Sequence, residues 1–486
     1  MDNEIAKLNP PAVWRHFAAI SEIPRCSGNE EAVRNYVVEH AKRLGLTYRT
    51  DTAGNIVVNR HGGAGSPRTS PVVLQGHLDM VCEKNAATEH DFSRDPISLV
   101  REGDWIRGDN TTLGGDNGIA VAMMLAILES DDDTLGPVQC LFTVDEETGL
   151  TGALGLDPSL IEGRRLINLD TEEEGFFCIG CAGGKNTYGE IPLVYRDGNA
   201  GEDRTFRIEL TGLSGGHSGA DIHREFGNSI VLGGRLLAEI RRVAPSLRLS
   251  TLDGGNKHNA IPREFTAVVA VAANEAEGVG PGVTAFEETA RTELGSRDPG
   301  LVISVSDTDA VPTIGAGDTG KIIDLLSAIP HGVLGMSEEV PGLVETSTNL
   351  AAVHTEGSTL KILTSQRSSR PSMIAAAAER VAAVIRLGGG TVRFGEGYPA
   401  WPPRPGSPLV DTAVAVFTRR FERDPEVGAF HAGLECGVIG DKVGDMDMIS
   451  FGPDMAGVHT PEERLSISST ERTWELLLDV LRALKD

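Results

Sequence analysis

VVLQGHLDMV occupies residues 72–81. An apolar run leads to Gly76, and His77 and Asp79 follow. Such a run reads as a buried strand, and open α/β sheets place their active sites at strand C-termini. Imidazole is the commonest protein ligand for zinc. A carboxylate two residues on can hydrogen-bond the other ring nitrogen and fix its tautomer. Taken alone, the pair also reads as an ordinary polar strand end.

The elements around this strand give the fold class. Helical patterns fall near residues 11–22 and 29–44 and over 117–129. Apolar, β-branched runs fall at 55–59, 71–75, 138–144 and 165–169. Strands alternating with helices predict an α/β domain with a mostly parallel central sheet. The texture changes after the glycine-rich stretch 180–184. From 205 to about 393, strand and helix patterns resemble β-α-β-β-α-β units, two in tandem. YPAWPPRPGSPL, residues 398–409, holds five of the 25 prolines and reads as a connector. Beyond it the α/β texture returns, with helices near 410–421 and 469–484. The predicted organisation is a catalytic domain of residues 1–186 and 403–486, interrupted by an inserted α+β lid domain, 187–402.

Composition narrows the function. The chain has 486 residues, 44 basic and 70 acidic, for a net charge of −26. So acidic a surface repels phosphate backbones and anionic membranes, which argues against nucleic-acid and membrane partners. The longest apolar stretch near a helix, 119–128, is about half of the roughly 20 residues a membrane span needs. MDNEIAKLNP lacks the basic start and apolar run of a signal peptide. Six cysteines are too sparse for a disulfide scaffold. The expected location is cytoplasmic.

Four further segments carry candidate chemistry. LGGDNGIAVAMML places Asp116 in a glycine-flanked turn before a helix. An N-cap would explain the aspartate, but not the glycines, which suggest close backbone approach. VQCLFTVDEETGLTGA runs from a strand into Asp145, Glu146 and Glu147. Adjacent carboxylates repel unless a cation neutralises them; beside a metal, one can ligate while its neighbour acts as base. RLINLDTEEEG ends a strand at Asp170, and FGPDMAGVHTPEE puts His459 in a loop after a strand.

Together these segments resemble the co-catalytic di-zinc peptidase superfamily of aminoacylases, carboxypeptidases and dipeptidases. The ordered signature is His-x-Asp, Asp-Asn-Gly, Glu-Glu, Asp and a late His after an insertion. Within it, HLDMVCEKN, RGDNTTLGGDNGIA, NLDTEEEG and FHAGLECG are similar to the aminoacyl-histidine (Xaa-His, cytosolic non-specific) dipeptidases. The resemblance implies two divalent metal ions, zinc first, with manganese or cobalt as alternatives. His77 and Asp170 would hold one and Glu147 and His459 the other, with Asp116 bridging and a cis peptide after it. Asp79 would orient His77, and Glu146 would be the general base for a metal-bridging hydroxide. In the insertion, GLSGGHSGADIHRE would place His217 as an oxyanion donor and NKHNAIPRE would place Asn259 at the active site. LTSQRSSRPS offers Arg367 or Arg370 as the anchor for the substrate carboxylate, Arg367 being favoured. Glu435 sits where relatives contact substrate backbone. The implied activity is hydrolysis of small unblocked dipeptides, including β-alanyl-histidine. An N-acyl amino acid deacylase or carboxypeptidase is the alternative, and a homodimer the implied assembly.

Other signals point to structure. GLSGG, 212–216, matches Gly-x-Ser-x-Gly, but no helix pattern begins before about 228, as a nucleophile elbow requires. The glycines at 315, 317 and 320 match a dinucleotide fingerprint, but Pro312 interrupts the strand expected before it. Cys178 and Cys181 lie on an apolar strand with no second metal-ligand pair and read as core filling.

Overall fold

The strand Val72–His77 is buried at every position and lies between Val138–Thr143 and Arg165–Asn168, parallel to both. Burial on both faces explains why it shows no polar alternation. The computed structural model describes residues 4–66, 68–196, 202–338, 340–404 and 406–486. These form two compact units. The first runs to Cys181 and resumes over Trp401–Ala429 and Leu434–Asp486; the second comprises Ala182–Ala400 and Phe430–Gly433.

The first unit carries an eight-stranded sheet. Its order is Thr47–Thr50, Ile56–Arg60, Val138–Thr143, Val72–His77, Arg165–Asn168, Asp447–Ser450, Phe176–Cys181 and Glu426–Phe430. The four strands from Val138–Thr143 to Asp447–Ser450 are parallel, and the strands flanking them pair antiparallel. Helix Gly115–Leu128 is buried at every position. A helix apolar all round belongs inside a core, and this one packs with Trp14, Phe17, Ile20, Leu74 and Phe142. Phe177, Phe417 and Phe451 fill the core near the other end of the sheet, with ring centroids 5.4 and 5.5 Å apart. Two strands with no clear sequence signal, Leu99–Glu102 and Trp105–Gly108, join Met455–Ala456 and Arg464–Ser466 in a separate four-stranded sheet.

Cys26 and Cys82 form a disulfide across 56 residues of chain. Cys26 and Met80 meet in a parallel bridge, which draws the two cysteine Cα atoms to 5.8 Å, within normal disulfide reach. A sparse cysteine count excludes a scaffold but not a single bridge. The other four cysteines are buried thiols, Cys178 and Cys181 among them on Phe176–Cys181.

The second unit is a nine-stranded antiparallel sheet backed by helices. Strands Asp203–Thr211, Arg248–Gly254, Phe265–Ala272 and Val302–Asp307, with helices Ser229–Val243 and Val279–Leu294, make one β-α-β-β-α-β unit in spatial order 4-1-3-2. Strands Gly183–Pro192, Val344–Glu356, Thr359–Ser368 and Thr391–Phe394, with helices Ala316–Ala328 and Pro371–Leu387, repeat that order. The arrangement is nested and not tandem: the first strand of the second repeat precedes the whole first repeat. The glycines and polar residues of GGKNTYGEIP hide that strand from a periodicity reading. The repeats join edge to edge where Asp253 and Gly254 pair with His354 and Val353. One core, from Phe206 through Phe286 and Leu326 to Ile385, serves both.

Candidate metal centre

His77 ends its strand because the chain turns where the parallel sheet stops. Gly76 before it has no room for a side chain: a Cβ would lie 2.4 Å from Asn117 Oδ1 and 2.8 Å from Ala120 Cβ. Asn117 is fully buried; its Oδ1 accepts from His77 N at 3.2 Å, and its Nδ2 donates to Leu169 O at 2.9 Å. That one side chain fixes the turn after Asp116 to two other strand ends. The Asp116–Asn117 peptide is cis.

Two donor sets converge on Asp116. His77 Nε2 lies 2.9 Å from Asp116 Oδ1 and 3.5 Å from Asp170 Oδ1. His459 Nε2 lies 3.0 Å from Asp116 Oδ2 and 3.0 Å from Glu147 Oε2. Within each set the ligand atoms lie within 4.8 Å of one another. Asp170 Oδ1 is buried with no hydrogen-bond partner among the described residues. Three carboxylates and two imidazoles, with one carboxylate offering an oxygen to each set, suit two divalent cations. The seven residues His77, Asp79, Asp116, Glu146, Glu147, Asp170 and His459 all lie in the first unit.

The electrostatics match a site built for positive charge. Hydrogen bonds to the Asp116 and Glu147 carboxylates raise the His459 imidazole to about 11. Burial alone would lower His77, but Asp170, Asp116 and Asp79 push it well above the usual imidazole range. Burial pushes Asp170 up to about 7. Burial also raises Glu146 well above the carboxylate range; His77 opposes this, and Asp170, Glu435 and Glu147 add to it.

Asp79 lies beneath His77 and is fully buried. Its Oδ1 faces His77 Nδ1 at 3.3 Å and accepts from Glu146 N at 3.0 Å. Its Oδ2 accepts from Ser27 Oγ at 2.7 Å and Glu147 N at 3.2 Å. Asp79 therefore holds the His77 imidazole and the Glu146–Glu147 backbone together.

Glu435 opens helix Glu435–Val443 and is fully buried. Its Oε2 accepts from Gln75 Nε2 at 2.5 Å and Thr143 Oγ1 at 2.6 Å. The chain of polar contacts continues through Asn168 to Ser450 across neighbouring strand ends. Glu435 is thus tied through Oε2 into a network beneath the strand ends, while its Oε1 is buried with no hydrogen-bond partner among the described residues.

The remaining expected residues lie in the second unit. His217 sits on Gly216–His217, paired with Ala260–Ile261, and Asn259 O accepts from Ser218 N at 2.8 Å. His217 Nδ1 accepts from Ala220 N at 3.0 Å and Gly219 N at 3.3 Å. Arg367 and Arg370 differ sharply. Arg370 is half exposed and pairs with Glu345 at 2.6 Å. Arg367 is 5% exposed and donates to Tyr398 Oη at 2.6 Å. Burial and then the Arg367 charge lower His258, and the same two causes lower His431 to about 3. His431 shares a 2.7 Å hydrogen bond with Ser347 Oγ. Tyr398, inside the proline-rich connector, carried no signal of its own in sequence; Asn117 entered only as the middle of the Asp-Asn-Gly signature.

The sequence model of Peptidase family M20/M25/M40 matches residues 73–483. The chain is 37% identical over 483 residues to the cytosol non-specific dipeptidase of Escherichia coli (strain K12), covering 99% of each chain. It superposes on the crystal structure of aminoacylhistidine dipeptidase from Vibrio alginolyticus with a TM-score of 0.89 and 36% identity, covering 100% of this chain and 99% of that one. The di-peptidase Dug1p from Saccharomyces cerevisiae shares the fold at a TM-score of 0.52 and 12% identity, over 98% of this chain and 96% of that one. The chain belongs to peptidase family M20/M25/M40.

Proposed function

We propose that this protein is a cytoplasmic metallo-dipeptidase acting on unblocked dipeptides, including Xaa-His substrates such as β-alanyl-histidine. The observation that carries the reading is the pair of donor sets sharing Asp116, with Glu146 beside His77 and Glu147. Relatives named as dipeptidases over nearly the whole chain support it. When bound, two divalent cations, zinc first, supply Lewis acidity and acidify water. His77 and Asp170 would hold one, Glu147 and His459 the other, and Asp116 both.

The chain's own residues divide the remaining work. A carboxyl whose proton affinity is raised by burial suits Glu146 to take a proton from water and pass it to the leaving amine. Asp79 holds His77 and the Glu146 backbone in place. In neutral His217, an accepting Nδ1 leaves the proton on Nε2, a donor suited to an oxyanion. Arg367 offers a guanidinium to the terminal carboxylate, with Asn259 beside His217. Residues 187–402 are assigned to substrate capture. The two repeats pair with each other within one chain. Sedimentation velocity separates a monomer from the dimer implied by the sequence.

The test is hydrolysis of β-alanyl-histidine and its N-acetyl form, before and after chelation and zinc add-back. Cleavage of the free dipeptide alone, lost to chelator and restored by zinc, is the expected result. Cleavage of the acetylated form alone would move the chain to the deacylases. Glu146→Gln should retain metal and lose about 10²–10⁴-fold in kcat.

A further inference from the structure

Asp116 ends a loop, residues 113–116, whose backbone is held from two sides. On one side Glu463 accepts from all four successive N–H groups. The distances are 2.8 Å to Leu113, 3.1 Å to Gly114, 2.8 Å to Gly115 and 3.3 Å to Asp116. On the other side the Arg25 guanidinium donates to Gly114 O, and also to Leu78 O and Asp79 O at 2.9 Å each. Both side chains are 2% exposed. Of the carboxylates around Arg25, Glu463 acts on its charge most strongly.

The two residues reach three of the ligand segments, those of His77, Asp116 and His459. Arg25 ties the turn after His77 to the 113–116 loop, and Met80 N donates back to Arg25 O at 3.2 Å. Glu463 ties the same loop to the His459 turn, where Glu463 N bonds Thr460 O at 3.0 Å. The glycines flanking Asp116 make room for this arrangement. Gly114 has φ of +69°, and a Cβ there would lie 2.4 Å from the Arg25 guanidinium; one at Gly118 would lie 2.6 Å from it. The close approach signalled by the glycines in LGGDNG is thus by a buried arginine.

We propose that Arg25 and Glu463 are positioning residues that clamp the Asp116 loop between the His77 and His459 segments, so that one carboxylate can serve both cation sites. Among the described residues neither hydrogen-bonds a ligand side chain; each bonds the backbone that carries the ligands. A glutamine at 463 has one accepting oxygen and can serve only part of the four N–H groups, while its amide faces the rest. A lysine at 25 keeps the charge but offers its donors from one nitrogen, where Arg25 serves the three carbonyls from two.

This inference rests on the proposed two-cation reading, and the experiment separates the two. Zinc affinity and stoichiometry are measured by competition with a chelating dye, without substrate, on the full chain and on Glu463→Gln and Arg25→Lys. The unaltered protein should bind two zinc ions; if it binds none, the proposed function fails first. If it binds two, Glu463→Gln should weaken at least one site by about 10–100-fold, as loss of a residue supporting metal ligands does. Its kcat at fixed low zinc should fall while KM stays within about twofold, and added zinc should restore kcat. Both zinc affinities within about threefold of the unaltered protein, with only a lowered melting temperature, would reduce the clamp to a structural role. Should Glu463→Gln fail to fold, Arg25→Lys carries the same test with the same refuting outcome.

Discussion

Asp79→Asn changes one atom of the side chain and leaves its volume almost unaltered, so its effects come from hydrogen bonding and charge. The carboxylate divides four donors between two oxygens: Glu146 N and His77 Nδ1 on Oδ1, Ser27 Oγ and Glu147 N on Oδ2. An asparagine keeps its oxygen on one side only. With the amide nitrogen toward Ser27, that hydroxyl can turn and accept, and only the Glu147 N–H is stranded. The opposite orientation strands two donors and is worse. One buried unsatisfied N–H costs about 1–3 kcal/mol, which should appear as lost stability of the chelated protein in urea denaturation. The His77 ring also loses the anion that supports its orientation, which should weaken zinc about 10–100-fold in dye competition. Burial alone would raise Asp79, but His77, the Glu146 N–H and Ser27 hold it well below the usual carboxylate range. Its contribution is therefore present above the unfolded value, about pH 4, and is lost as pH falls through the lower folded value. Asp79→Asn should flatten that part of the acid limb. An unchanged urea midpoint together with zinc affinity within about threefold would refute the assignment.

Three other perturbations test separate parts of the molecule. Burial lowers His331 to about 4, and its Nδ1 already accepts from Asn228 Nδ2 and Leu350 N, so a proton there meets two donors. Stability should fall by on the order of 2–3 kcal/mol as pH drops from about 6.5 to 4 and then level off; His331→Gln should remove that step from pH-dependent urea midpoints. Reducing Cys26–Cys82 opens a 56-residue loop and should cost about 4 kcal/mol in the chain-entropy account, read as a lower melting temperature with reductant. Cys26→Ser should show the same loss and no further response to reductant. Arg367→Lys keeps the charge but loses the planar fork and should raise KM about tenfold or more with kcat within threefold. Arg370→Lys should leave both within twofold, and equal effects at the two positions would remove Arg367 from its role.

The first unit was legible because its candidate ligands sit where strands end. His77, Glu146, Glu147 and Asp170 each follow an apolar run, and such runs are visible without contacts. Asp116 was legible through its glycines, although the reason for them was not: Arg25 lies about 90 residues earlier and nothing local links the two. Glu463 looked like one more acid in HTPEE because its role depends on backbone groups 350 residues away. Gly183–Pro192 was missed because its glycines and polar residues hide its place beside Thr359–Ser368. Helix Glu435–Val443 was missed because it is short and holds two glycines, weak helix formers.

The position of Asp447–Ser450 bears on how the protein is made. That strand pairs with Arg165–Asn168 on one side and Phe176–Cys181 on the other. Both partners leave the ribosome far earlier, and at about 5–20 residues per second the delay is on the order of tens of seconds. During that interval each holds an unpaired apolar edge, the kind of surface that recruits a neighbouring nascent chain. The nine-stranded sheet forms its own core from residues translated in between. The last-synthesised stretch therefore closes the eight-stranded sheet, and a polysome making this protein carries chains whose sheet edges are still open.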